Sequence, residues 1–432
     1  MNSNSWHVQP LAQEHVTVYE SPDPQSISAY SPGLALSQNR RLIATTDLGG
    51  DGVPDLNGQH YRRGNRGWQG RIYTSDDGGD SWTFRTTYPF LHARPFVAGD
   101  TLYVLGQADD LMIIRSDDGG ETWGAPVALT DGEKWHQAPC NVHYANGCIY
   151  LVMEHRMSAD IKTWAVGEFA PVLMRGRLED DLIRRENWTF ASELPFRDVM
   201  PNVEDEPNID FFGVPFFSCP YPRGSMQAEG RNCAPIGWLE TNVVQFIDTN
   251  HYWCDPDGKT YHLWMRAHTG GTGYACVAKV VEQGEEPGTG EMRTMLERVP
   301  SGRKALYVPC PGGQMKFHIL FDEPTDLFWL LSTQATDSMH RAERLPDDRY
   351  NLPNNQRRRL QLHFSKNCID WCFAGLVAVG PVEYGSRHYA SMLIDGDDLH
   401  VLSRSGDERA KNAHDGNLIT FHTIPNFRRL VY

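Results

Sequence analysis

Ser75-Asp-Asp-Gly-Gly-Asp-Ser-Trp82 recurs 41 residues later as Ser116-Asp-Asp-Gly-Gly-Glu-Thr-Trp123. Each copy follows a short apolar run, Gly70-Arg-Ile-Tyr-Thr in the first case and Leu111-Met-Ile-Ile-Arg in the second, and each leads into another such run. The chemistry of the repeat is local. An Asp carboxylate accepts backbone N–H bonds across the turn, Gly supplies a positive φ, and Trp staples the hairpin to its sheet. Ser365-Lys-Asn-Cys-Ile-Asp-Trp371 reads as a worn third copy and Glu186-Asn-Trp188 as a fourth. A period of about 40 residues is that of a four-stranded antiparallel blade, so the chain is expected to be an all-β propeller.

Working outward from the repeats, six units are legible from their first strands. They begin near Tyr30-Ser-Pro-Gly-Leu-Ala-Leu, Ala93-Arg-Pro-Phe-Val, His136-Gln-Ala-Pro-Cys-Asn-Val, Trp238-Leu-Glu-Thr-Asn-Val-Val, Met315-Lys-Phe-His-Ile-Leu and His388-Tyr-Ala-Ser-Met-Leu-Ile. Turns such as Asp255-Pro-Asp-Gly258 and Asp395-Gly-Asp-Asp398 divide strands within units. Residues 193–237 form an irregular insertion rich in Pro, Phe and Cys, and residues 339–356 a polar segment with several Arg. Long loops on a rigid propeller shape a binding face. With no linker in sight, residues 1–432 read as one domain, taken as a monomer.

Composition fits a globular chain of short strands: 432 residues, 40% hydrophobic and 22% charged, with Gly and Pro spread throughout. A net charge of -15 argues against nucleic acid, which demands a basic stripe. It leaves room for an anionic small ligand, because a local Arg and His cluster can sit inside an acidic shell. The nine cysteines lack zinc-finger spacing and read mostly as small buried hydrophobes. No apolar run approaches the roughly 18 residues of a membrane span. The first residues, Met1-Asn-Ser-Asn-Ser-Trp-His7, lack the basic and apolar regions of a signal peptide, so the sequence leaves the compartment unassigned.

The pattern S-x-D-x-G-x-[ST]-W is the Asp-box of sialidase-like propellers. Beyond it, the order of His136-Gln-Ala-Pro, Trp238-Leu-Glu-Thr-Asn-Val-Val, Pro309-Cys-Pro-Gly-Gly-Gln-Met-Lys-Phe317, Gly385-Ser-Arg-His-Tyr-Ala-Ser391, Ser403-Arg-Ser-Gly-Asp, His414-Asp-Gly-Asn and Phe421-His422 resembles the propeller polysaccharide lyases, namely ulvan lyases and rhamnose–glucuronate lyases. That resemblance implies seven blades, an exported periplasmic or secreted enzyme, and β-elimination on a uronic-acid polysaccharide of the sulfated, rhamnose-rich ulvan type. Elimination needs a base for the C5 proton, a group to neutralise the carboxylate and an acid for the leaving oxygen, all without an obligatory cofactor.

The resemblance points to His136 and His155 as base and acid, or as base and carboxylate partner. In the insertion, Tyr221 is a candidate acid or base and Arg223 a candidate to neutralise the carboxylate; Arg266 is a candidate bidentate carboxylate clamp, and Asn242, Trp264, His268 and Tyr274 are candidate substrate contacts. In Tyr261-His-Leu-Trp-Met-Arg-Ala-His268 alternate residues share a face; a five-residue hairpin turn would put Tyr274 and Cys276 opposite His268 and Arg266. His268, Cys276 and Cys310 are candidate ligands for a structural zinc; a structural zinc or calcium ion is the only cofactor expected. Two departures stand out: no Tyr lies at the lyases' spacing before an Arg, and Thr46 stands where several of them carry His before Asp47.

Two other readings compete. An exo-sialidase, or another glycoside hydrolase on this propeller, needs three Arg on separate blades, a Tyr–Glu nucleophile pair and an acidic Asp near the start. Its usual Arg-Ile-Pro segment is absent here, and the first blade offers only Arg40-Arg41. A non-catalytic carbohydrate-binding propeller is the third reading. Asp-boxes identify a scaffold and leave the chemistry open.

Overall fold

The computed structural model describes residues 9–161, 165–199, 209–210, 226–228, 231–232, 237–268, 273–299, 301–302, 304–337, 340, 345–346, 356–382 and 385–432. Six antiparallel sheets are arranged as blades, each running outward from the central axis; two small sheets lie outside them, Ile209–Asp210 with Lys304–Ala305 and Glu297–Arg298, and Met226–Ala228 with Arg231–Asn232. The first blade comprises Ser28–Leu36, Leu42–Gly50, Arg66–Ser75 and Thr83–Tyr88, with Tyr61–Arg63 folded back on the third strand. The second runs Leu91–Ala98, Thr101–Ala108, Asp110–Ser116 and Val127–Ala128. In the third, Trp135–His136 and His143–Ala145 share one innermost strand, followed by Cys148–Arg156, Phe169–Arg177 and Trp188–Phe190. The fourth is Gly237–Val244, Thr260–His268, Tyr274–Glu282 and Met292–Met295. The fifth is His318–Asp322, Leu327–Gln334, Arg359–Ser365 and Cys372–Val379. In the sixth, Arg387–Asp395, Asp398–Ser405 and Leu418–Ile424 are completed by Val16–Glu20 from the chain's beginning, which fastens the ring shut.

The propeller therefore has six blades, not the seven that the resemblance implied. Packing gives the reason. An antiparallel sheet is stable only with its apolar faces covered, and six apolar clusters fill the six gaps in turn. Ile43 and Val104 meet between blades one and two, Leu105 and Leu151 between two and three, Val152 and Leu263 between three and four. Val277 and Leu330 meet between four and five, Leu331 and Val401 between five and six, and Leu402 and Ala44 between six and one. The ring closes with every blade covered on both sides.

The two clean Asp-boxes each link one strand to the next, as expected, and both lie between the third and fourth strands of a blade. In the first, the Asp77 carboxylate accepts the Ser81 N–H at 2.9 Å and the Ser75 hydroxyl at 2.7 Å, while Ser75 Oγ accepts the Gly79 N–H at 2.9 Å. Trp82 Nε1 donates to the Gly79 carbonyl at 3.1 Å. Gly79 has φ +100°, and a Cβ there would lie 2.0 Å from the Phe421 ring, so the box also seats blade one on blade six. Asp118 repeats these bonds in the second box. In the worn copy Asn367 stands in for Asp and accepts the Ile369 and Asp370 N–H groups. Glu186-Asn-Trp188 is instead a short 3-10 turn, Arg185–Asn187, with Trp188 Nε1 bonded to the Leu182 carbonyl at 2.8 Å.

Trp68 and Ser75 mark two positions on one strand, seven residues and roughly 23 Å apart. Ser75 opens a box, and Trp68 borders a cavity at the opposite rim. Among the described residues, no helix is long and apolar enough to cross a membrane.

Candidate active site

Four of the six innermost strands carry the same irregularity. Register slips between Tyr30 and Gly33, Leu91 and Arg94, Leu239 and Asn242, and His388 and Ser391. Each bulge opens with a non-glycine residue in the left-handed region: Ser31 (φ 48°), His92 (52°), Glu240 (58°) and Tyr389 (50°). Such residues cost on the order of 1–3 kcal/mol each and cluster where a side chain must be aimed. All four line one cavity of about 400 Å³ on the axis.

Tyr389 is the hub of this cavity. Its hydroxyl donates to Glu240 Oε1 at 2.7 Å and accepts from Arg266 Nη1 at 2.5 Å. Arg266 Nη1 also lies 3.3 Å from Glu240 Oε2, and its Nε donates to the Gln314 carbonyl at 2.8 Å. Two more guanidinium groups face the Tyr389 ring, with Arg357 Cζ at 5.5 Å and Arg404 Cζ at 5.4 Å. Arg266, Arg357 and Arg404 come from blades four, five and six and are almost fully buried. Burial lowers the pKa of Arg357 to about 10, which leaves it a cation at neutral pH. Arg357 Nη1 meets His388 Nδ1 at 3.0 Å, and Arg404 stacks over Tyr30 of blade one at 4.2 Å. The Nε donors of Arg357 and Arg404 are buried without a partner among the described residues. Tyr389 has a raised pKa, chiefly from burial, with Arg266 opposing.

Across the cavity, blade one contributes Asp47, 1% exposed. Its Oδ2 accepts the His92 N–H at 2.6 Å. Burial pushes its pKa up to about 8, against weaker help to the ionised form from Ser31 and the Ala93 N–H. Burial thus favours its neutral, protonated form. Nearby, Asp415 accepts Tyr30 Oη–H at 2.7 Å and pairs with His414 Nδ1 at 2.8 Å; the His414 contact is the main reason its carboxyl is held below the usual range. Arg404, followed by burial, lowers the His414 pKa to about 4.

The residues singled out from sequence scatter. His136 and Arg266 do reach the axial site: His136 lines the cavity, and Arg266 holds Tyr389. His155 does not join His136. Pairing sets Trp135 opposite His155 and His136 opposite Glu154, so the two histidines point to opposite faces of the sheet. His155 stacks on Trp135 and meets Glu193 Oε1 at 2.5 Å. Asn242 is fully buried below the cavity, accepting the Ile319 N–H at 3.0 Å and donating to the Phe317 carbonyl at 3.1 Å. Trp264 lies in the apolar layer between blades four and five.

Register moves Tyr274 and Cys276 as well. Arg266 pairs with Ala275 and Met265 with Cys276, one residue off the sequence expectation, and a one-residue slip swaps faces. Cys276 faces blade three and Cys310 faces blade five, on opposite sides of the fourth sheet. No cluster of three metal-ligating side chains occurs among the described residues, and the His268 side chain is not described. Tyr221 and Arg223 lie outside the described residues.

Tyr389, Glu240 and Arg404 each lie inside a segment that carries the resemblance, and Asp47 follows Thr46, where the sequence departs from it. Their joint signal, three Arg with one Tyr and one Glu, becomes visible only when the blades are closed into a ring.

No protein-family profile matches the chain, and no curated protein sequence matches it significantly. Solved structures do. A Hadza microbial sialidase is 14% identical with a TM-score of 0.54, covering 95% of this chain and 68% of its own. Trypanosoma rangeli sialidase in complex with sialic acid is 13% identical with a TM-score of 0.52, and the match spans 98% of this chain and 60% of that one. A Dyadobacter fermentans protein of unknown function is 13% identical over 96% of this chain and 99% of its own, with a TM-score of 0.51. The fold is that of the sialidase-type β-propellers.

Proposed function

We propose that the chain is a retaining exo-glycosidase for a sugar whose anomeric carbon carries a carboxylate, the sialic acid class. The observation that carries the reading is the Tyr389–Glu240 pair inside a ring of three arginines. An anionic anomeric centre repels a carboxylate nucleophile, so a neutral phenol with a neighbouring base suits it better. Tyr389 Oη attacks the anomeric carbon while its proton passes to Glu240, and the Arg266 N–H stabilises the charge gained by the oxygen. Asp47 gives its proton to the departing glycosidic oxygen. Water then enters, returns a proton to Asp47 and displaces Tyr389, which recovers its own proton from Glu240. Arg357 and Arg404, whose buried Nε donors have no partner among the described residues, supply the positive charge that holds the substrate carboxylate.

The glycosidase alternative thus fits the site better than the lyase, whose histidine pair is split between two faces of a sheet. The departure from sialidases is the origin of the third cation. Arg404 reaches over Tyr30 from the last blade, on the side of the ring where a first-blade Arg-Ile-Pro would stand. Incubation with an aryl sialoside and with ulvan separates the readings. Release of free sialic acid and phenol is expected; an unsaturated uronate from ulvan, with no sialic acid released, overturns the proposal.

A further inference from the structure

The third strand of blade one begins with a hairpin that the reaction above does not use. Tyr61-Arg-Arg-Gly-Asn-Arg-Gly-Trp68 projects at the cavity rim, and Arg66 and Trp68 both line the cavity. Arg62, Arg63 and Arg66 are all exposed, three cations within five residues of a chain whose net charge is -15. Arg62 is tied down, donating from Nε to His60 Nε2 at 2.9 Å and from Nη2 to the Pro54 carbonyl at 3.2 Å. Arg63 and Arg66 pair with no carboxylate among the described residues, and Arg66 lies over the Trp68 ring with its Cζ at 5.7 Å. Trp68 is fixed from behind: Gly49 lacks a Cβ that would otherwise lie 2.9 Å from both the Trp68 and Tyr30 rings.

Position supplies the role. The proton donor Asp47 belongs to the strand paired with this one, with Asp47 opposite Gly70, two residues beyond Trp68. The leaving group must depart from the substrate on the Asp47 side, so it passes over Trp68 and the hairpin. Sugars stack on an aromatic ring while unpaired guanidinium groups seek anionic oxygens. We propose that Arg63, Arg66 and Trp68 form an aglycone subsite that selects glycans bearing sulfate or carboxylate on the sugar next to the cleaved one. The inference rests on the glycosidase reading for its orientation.

The test uses the full chain and its Arg63→Gln/Arg66→Gln variant, first shown to share one melting temperature. Substrates are sialyllactose, its sulfated form and a sialoside with a hexuronate aglycone. The ratio of kcat/KM for either anionic aglycone to that for plain sialyllactose is expected to fall about ten-fold in the variant and, in the native chain, to fall with added salt. A fall for only one anionic arm identifies whether sulfate or carboxylate is the recognised group. A parallel titration with sulfated lactose, which lacks the terminal acid sugar, is expected to show weaker binding to the variant. Equal ratios together with equal titrations overturn the subsite. If the native chain cleaves no sialoside at all, the glycosidase reading fails, and the titration still decides whether the hairpin binds anionic sugars.

Discussion

Replacing Asp47 by Asn is expected to stabilise the protein and disable it at once. The amide keeps an oxygen for the His92 N–H, now bonded at 2.6 Å, so the strand is undisturbed. The carboxyl has a pKa of 3.8 in an unfolded chain and about 8 when folded. At pH 7 the unfolded chain has released this proton while the folded one has kept it, so folding takes up a proton against the solution. Stability from this group therefore declines as pH rises from 3.8 and levels off above about 8. Across about 3.2 pH units at about 1.4 kcal/mol each, the cost at pH 7 is of order 4 kcal/mol. Asn removes that cost, which is worth roughly 4 °C in Tm for a chain of this length, at about 1 °C per kcal/mol. Thermal unfolding of both proteins at pH 5 and pH 7.5 reads the difference, and the gain should be several-fold larger at pH 7.5. Activity should move the other way. Loss of the acid should slow glycosides with poor leaving groups by about 10²–10⁴-fold and spare those with an acidic phenol. On the proposed mechanism, kcat/KM of the native protein should fall as pH rises through about 8. A Tm gain that is absent or independent of pH would refute the burial argument, and equal losses on both kinds of leaving group would refute the acid role.

Tyr389→Phe removes only the hydroxyl between Glu240 and Arg266 and should cut kcat by about 10³-fold or more while substrate still binds, as single-turnover kinetics would show. Arg357→Met should raise KM for carboxylate-bearing substrates by about 10²-fold, with little loss of binding for the analogue whose carboxylate is replaced by a neutral amide, measured by inhibition constants. Asn242→Ala should cost about 2–5 kcal/mol in chemical denaturation, because the Ile319 N–H and Phe317 carbonyl lose their buried partner between blades.

The scaffold was legible because its signals are local. An Asp-box is complete within eight residues, and five of the six inner strands lie in or overlap the short apolar runs between turns; in the third blade the run His136–Val142 instead separates two short pieces, Trp135–His136 and His143–Ala145. Blade number was less so. Whether six or seven sheets close a ring depends on how facing side chains such as Leu331 and Val401 fill each gap, and that is not written in any one strand. The site was harder still. Asp47 and Tyr389 lie 342 positions apart in sequence and belong to blades that touch only through ring closure. His136 and His155 looked paired because they are close in sequence, yet the two-residue period of the sheet parts them. Arg404 could not stand out in a chain with 40 basic residues until its ring contact with Tyr30 was seen.

The four left-handed bulges have a consequence for how such a protein changes over time. Ser31, His92, Glu240 and Tyr389 occupy equivalent sockets, each presented by the same backbone kink at the wall of one cavity. Exchanging the residue in one socket alters what the cavity can do and leaves the ring's interlocking layers intact. A differently lined cavity is thus within reach of a few substitutions at positions where the backbone has already been bent to receive them.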